Sequence, residues 1–329
     1  MSFLLRNRLT KRIVRPAATH VDRRVDKRVD KRMEQRVDRR VDQRVDQRAK
    51  PAVDALRTDL ETLRREVAEL RRHQYATSLL FDRTGRVNDR VPNAAEVDTL
   101  VREIAELTGE DSAYARRDVT VAFRNVVALE ALGVGRLAGT TYNVCGKLAA
   151  VPLLAPPNED VLEIGTLHGL FAATLTRMLH RAGLEARLTI VDPLAGSQLQ
   201  PGAKQGAEPT GTPVRMDVVR ANLALAGRAG AEARIQRGLS GDPEVRAAVS
   251  DRRYGVIVVD GDHSKEGVLA DLEWVEEIIA PGGIVVVDDY GDKSWPGVQQ
   301  AADQHLAGGA SRLEMLGRAA TSAFLRARA

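Results

Sequence analysis

The 329-residue sequence has one cysteine, Cys145, so an internal disulfide is excluded and a reducing compartment fits. No apolar run approaches the length of a membrane span. Phe3-Leu4-Leu5 is too short for the core of a signal peptide, and a cytoplasmic protein is the default expectation. Glycine and proline are missing from Val21 to Arg48, which excludes a break there. What is present is an apolar fraction of 43%, ordinary for a globular chain that can bury a full core with length left over.

The net charge of +4 hides a division. Residues 1–50 hold 17 basic and 7 acidic side chains, whereas the remainder holds 32 and 38. A basic arm therefore precedes an acidic body, and an anionic membrane surface or another polyanion is the partner such an arm would meet. Specific nucleic-acid binding is not expected. From Val21 a four-residue repeat runs as VDRR VDKR VDKR MEQR VDRR VDQR VDQR. A period of four exceeds 3.6, so its apolar stripe advances about 40° per repeat around a straight helix. Continuous burial of that stripe would need a right-handed supercoil. Pro51 marks an expected joint. Beyond it Val53, Leu60 and Val67 at a, with Leu56, Leu63 and Leu70 at d, form a heptad that predicts a self-associating coiled coil. The resulting division is 1–50 basic helical arm, 51–78 coiled coil, 79–157 helical cover and 158–329 an α/β domain.

The cover reads as helices over Ala94–Leu107, Ser112–Leu132 and Thr140–Ala150, the last ended by Pro152. Tyr142 and Lys147 lie where contacts from a cover helix to a ligand would come. From Asp160 strands alternate with helices. Strands are expected at Val161–Ile164, Leu188–Val191, Ala233–Gln236, Val256–Asp260, Ile284–Asp288, Arg312–Leu316 and Ser322–Arg326. That alternation predicts a Rossmann-like, mostly parallel seven-stranded sheet, and the short turn between the last two strands makes them an antiparallel hairpin.

The strand ends carry the chemistry. After the first strand, EIGTLHG gives a Gly165-x-x-x-Gly169 turn that includes Thr166. Leu167 stands where a dinucleotide fingerprint needs glycine. Glu163 beside this loop suits a cationic ligand rather than a phosphate. Asp192 ends the second strand, placed for the two hydroxyls of a ribose, and Ser240 follows the third, where an adenine edge would be read. Within Tyr254–Tyr290, two apolar runs end in Asp260-Gly261-Asp262-His263 and Asp288-Asp289. Carboxylates and an imidazole on one rim can hold a metal and a base.

With these motifs, residues 158–329 resemble the class I S-adenosylmethionine-dependent methyltransferases. The DGDHS-x-EGV-x-x-DL run, the APGG turn and the strand ending DD resemble the sugar and small-molecule O-methyltransferases. The resemblance implies S-adenosylmethionine held by Glu163, Gly165, Thr166, Gly169, Asp192, Ser240 and Asp260. It implies Mg²⁺ on Asp260, Asp288 and Asp289, and catalysis by His263 as base together with Asp260. The implied acceptor is a hydroxyl of a sugar, glycan or other vicinal diol, which a chelating metal favours. Asp262 is assigned to the start of the following helix, with Asp292 an outside candidate for the metal. Trp295 either walls the acceptor pocket or packs in the core. Pro193–Pro213 has the length and place of a lid. Two rival expectations stand beside this one: transfer by the same fold without a metal, and a scaffold on membrane or polyanion carrying a degenerate methyltransferase domain.

Overall fold

A computed structural model describes residues 6–81, 92–195, 212–309 and 311–328. The chain divides into two units, Met1–Gln74 and Tyr75–Ala329. The first is built from helix α1, Arg6–Phe81. The helix runs through Pro51, so the expected joint is absent. Proline removes one hydrogen bond and crowds the preceding turn, but helix formers on both sides carry the helix through. The repeat's Val29, Met33, Val37, Val41 and Val45 are exposed, and so are all six heptad residues from Val53 to Leu70. No helix among the described residues is long and apolar enough to cross a membrane.

The second unit begins with three cover helices, α2 (Ala94–Thr108), α3 (Ser112–Leu132) and α4 (Thr141–Leu153). Asn93 and Glu96 close α2 with a reciprocal capping box. Helix α4 carries Pro152 in its last turn and ends one residue later at Leu153, close to where the proline was expected to end it. The sheet follows: β1 (Asp160–Ile164), β2 (Arg187–Asp192), β3 (Arg234–Arg237), β4 (Tyr254–Val259), β5 (Ile279–Val287), β6 (Leu313–Ala319) and β7 (Ser322–Ala327). Helices α5 (Leu170–Arg181), α6 (Met216–Ala224), α7 (Arg228–Ala231), α8 (Pro243–Val249), α9 (Lys265–Ile278) and α10 (Pro296–Ala307) connect the strands.

The spatial order is β3-β2-β1-β4-β5-β7-β6. The first five strands are parallel, and β7 runs antiparallel to both β5 and β6. Strand alternation splits the core. Val256 and Val258 of β4 pack with the cover helices and α5, whereas Ile257 and Val259 pack with α8, α9 and α10. Every expected strand exists. The APGG stretch, expected as a turn, lies inside β5. There the register jumps from Tyr254↔Ile279 to Val256↔Ile284, accommodating the extra residues as a bulge.

Candidate active site

The order reverses at β1, where β2 leaves on one side and β4 on the other; in open parallel sheets this opens a crevice at the strands' carboxyl ends. The ladder continues one residue past each strand. Gly165 N donates to Val191 O (2.9 Å), Asp260 N to Ile164 O (2.9 Å) and Asp288 N to Val259 O (3.0 Å). These bonds fix the rim residues as firmly as the strands. The cleft above them has a volume of about 600 Å³, within the range of ligand sites. Glu163, Gly165, Thr166, Asp192, Ser240, Asp260, His263, Asp288 and Asp289 all line it. Gly169 does not; it starts α5 with a left-handed φ of 77°, close against Val219.

At the β1–β2 end the backbone is held by acid. Asp192 Oδ2 accepts from the amides of Thr166 (2.7 Å) and Leu167 (3.2 Å), and Oδ1 from Leu194 N (2.7 Å). The expected ribose acid thus also staples the glycine turn to β2. Gly165, at φ 85°, passes so near Asp260 that a Cβ would collide with its carbonyl. Glu163 is 2% exposed, and its Oε2 has no hydrogen-bond partner among the described residues. Burial pushes this carboxyl up to about 8. A lone buried acid in a cleft fits a ligand that brings a positive charge with it.

At the β4–β5 end the acids are coupled to cations. Asp288 Oδ1 lies 2.8 Å from Asn143 Nδ2 and 2.8 Å from Ser322 Oγ, and Oδ2 pairs with the Lys147 ammonium. Lys147 comes from α4, is 2% exposed, sits 4.7 Å over the Phe171 ring and lies 3.9 Å from Asp260 Oδ2. Burial is the largest single influence and opposes its charge, but Asp288, Asp260 and Asp289 together outweigh it and hold the ammonium above the usual lysine range. Asp288 is the mirror image: burial opposes its charge too, and Lys147 holds it well below the carboxylate range. His263 Nε2 lies 3.3 Å from Asp260 Oδ1 and 3.6 Å from Asp289 Oδ2. Burial works against the imidazolium, but the Asp260 hydrogen bond and charge raise His263. Burial and the Asp288 charge lift Asp260 to about 6; burial with the Asp288 and Asp260 charges lifts Asp289 to about 7. Asp289 holds a left-handed φ of 56°, a conformation aspartate tolerates and functional rims often retain.

As a ligand set for Mg²⁺, Asp260, Asp288 and Asp289 do not fit. Both Asp288 oxygens are engaged by protein donors, and the Lys147 ammonium that pairs with Asp288 lies 3.9 Å from Asp260 Oδ2, so a divalent ion on these acids would meet a fixed positive charge. No group of three or more His, Cys, Asp or Glu side chains among the described residues is arranged to hold a metal.

The outlying expectations resolve as follows. Asp262 Oδ1 accepts from Ser264 N (2.7 Å), just ahead of Ser264, the N-cap of α9, as its helix-start role requires. Asp292 makes the same local turn with Ser294 N (2.7 Å). Trp295 lines the cleft with its ring 4.8 Å from His263 and is packed on its other side against core residues. Tyr142 points away from the cleft and donates to Glu103 Oε2 (3.0 Å). Of the lid, residues 196–211 lie outside the described residues. Asn143 and Ser322 were not foreseen; neither residue type has a signature for this role. The one available signal was at Lys147, a single charge in the otherwise apolar run Val144–Val151.

Residues 162–290 match the family model described as a methyltransferase domain. No curated protein matches the chain. Among solved structures, cofactor-bound Rv0187 from MTB is 21% identical, with 72% of this chain and 98% of that one covered at a TM-score of 0.41. The O-methyltransferase TomG from Streptomyces achromogenes, involved in tomaymycin synthesis and solved with SAM, is 16% identical; 63% and 89% are covered at 0.40. The O-methyltransferase NovP is 18% identical, with 72% and 99% covered at 0.44. Strand order and family match agree on a methyltransferase domain over residues 162–290.

Proposed function

We propose that the protein is an S-adenosylmethionine-dependent O-methyltransferase acting on a hydroxyl of a sugar, glycan or other small molecule. The observation that carries this reading is a single cleft with a buried acid, Glu163, whose Oε2 has no hydrogen-bond partner among the described residues, at one end and the His263–Asp260–Asp289 cluster at the other. When bound, S-adenosylmethionine supplies a methyl group on a sulfonium centre. Glu163 would take the aminium of its amino-acid part, and Asp192 with Ser240 the nucleoside. His263, oriented by Asp260, removes the acceptor's proton as its oxygen gains the methyl group and the carbon–sulfur electron pair returns to sulfur. Calorimetric titration with S-adenosylmethionine tests the donor half, and S-adenosylhomocysteine release with a panel of sugar and catechol hydroxyls tests the transfer. Absence of cofactor binding would favour the scaffold reading instead.

Mg²⁺ is not carried into this reading, because its expected ligand set is occupied. Metal-independent transfer, the rival expectation, is what the donor set supports, and activity that survives EDTA would bear it out. The exposed heptad from Val53 to Leu70 supports self-association as a coiled coil, to be read by sedimentation of the full chain. A cytoplasmic protein whose basic arm touches an anionic membrane or polyanion is part of the same proposal. Co-flotation with anionic vesicles that does not change on deleting residues 1–50 would remove that part.

A further inference from the structure

We propose that the Lys147 ammonium is a built-in replacement for a divalent cation at the acceptor end of the cleft: it pairs with Asp288 beside Asp260 and leaves no magnesium site there. This rests on the methyl-transfer reading for its chemistry but not for its geometry. The geometry begins with placement. Lys147 is delivered by α4, an element outside the sheet, so that its Nζ meets Asp288 Oδ2 and lies 3.9 Å from Asp260 Oδ2. That separation is too long for a hydrogen bond. Asp288 Oδ1 is then met on its other side by Asn143 Nδ2 and the Ser322 hydroxyl, each at 2.8 Å, and that hydroxyl's one proton is shared with Asn143 Oδ1 at 2.9 Å. A buried ammonium with a hydrogen-bonded partner of this kind stays charged, and its charge repels a second cation.

The consequences differ from those of a bound metal. An ammonium has three donors, and Asp288 takes one of them. Lys147 also lines the cleft, so a donor is available to an acceptor oxygen entering between it and His263. There a fixed positive charge stabilises negative charge developing on that oxygen, the service a metal would give. A point charge does not chelate, so one hydroxyl suffices and a vicinal diol is not required. Asp260 and Asp289 remain beside His263, the base, as its hydrogen-bonding and charge partners rather than as metal ligands.

Metal binding, read directly on the full chain, tests this without a known acceptor. Mn²⁺ is titrated by electron paramagnetic resonance into the wild type, Asp288→Asn, Lys147→Met and Lys147→Met/Asp288→Asn, with thermal unfolding in the presence and absence of Mn²⁺. The expected result is no stoichiometric site in the wild type. Lys147→Met gains one site per chain, at least about tenfold tighter than any wild-type binding, and Asp288→Asn removes it again. Mn²⁺ should raise the unfolding temperature of Lys147→Met alone. If the wild type binds one Mn²⁺ per chain and loses it on Asp288→Asn, the proposal is overturned, whether or not Lys147→Met folds. A folded Lys147→Met that gains no site overturns it as well. S-adenosylmethionine titrated into the same wild-type sample keeps the two questions apart, since loss of cofactor binding would sink the methyltransferase reading and leave the metal result standing.

Discussion

The two ends of the cleft handle buried acid in opposite ways. At β1–β2, Asp192 is spent on three backbone amides and Glu163 is left with an oxygen that nothing in the described protein satisfies. At β4–β5, Asp288 has three donors and a full counter-charge, and Asp260 and Asp289 share His263. One end is built incomplete and waits for a cation; the other brings its own. The difference explains why similar strand-end acids titrate so differently, Glu163 near 8 and Asp288 below the usual range.

The comparison can be broken most forcefully at catalysis. His263→Ala should lower methyl transfer by about 10²–10⁴-fold while cofactor affinity, set at the other end, stays the same; a parallel loss of affinity would show the two ends are not separate. Next in size is Asp288→Ala, which strands the Lys147 ammonium. It should cost about 3–5 kcal/mol in urea unfolding, as removal of one partner of a buried pair does, and Asp192→Asn, which keeps one acceptor oxygen but turns an NH₂ group toward backbone N–H donors, should cost less, about 1–3 kcal/mol.

Glu163→Gln sharpens the contrast. Loss of the charge should weaken S-adenosylmethionine binding by about 1.5–3 kcal/mol. The same change should stabilise the ligand-free protein. The folded carboxyl holds its proton up to about 8, whereas the unfolded one releases it near 4.5. The folded state therefore binds more protons across that window, and wild-type stability falls as pH rises through it. The gain from Glu163→Gln should be larger at pH 8 than at pH 5, as unfolding temperatures at the two values will show. Wild-type cofactor affinity should rise over the same interval, because the ionised acid is the form that receives the cation. The smallest expected effect is that of removing residues 1–74: cofactor affinity unchanged, with only sedimentation altered.

Much of the second unit was legible because its signals are local. Each parallel strand is an apolar run, each rim residue ends one, and the ladder leaves such a residue only one place to stand. That is why Glu163, Asp192, Asp260 and Asp288 were found and why all seven strands occur where expected. Pro51 was over-read: it does not stop its helix, since one lost bond is weighed against the whole flanking helix. The partners of the acids were not legible. Lys147 and Asn143 stand more than a hundred residues before Asp288, and Ser322 lies 34 residues after it. Nothing in α4 or β7 taken alone says that they meet.

By itself, then, the sequence determined the strands, their order of acids and the exposed apolar seam of the helix at the start, all set by short-range periodicity. Only the tertiary structure decided what each acid faces. Charge in a buried site is governed by neighbours within a few ångströms, and the packing of α4 over the sheet, rather than any motif, chose a lysine as that neighbour for Asp288.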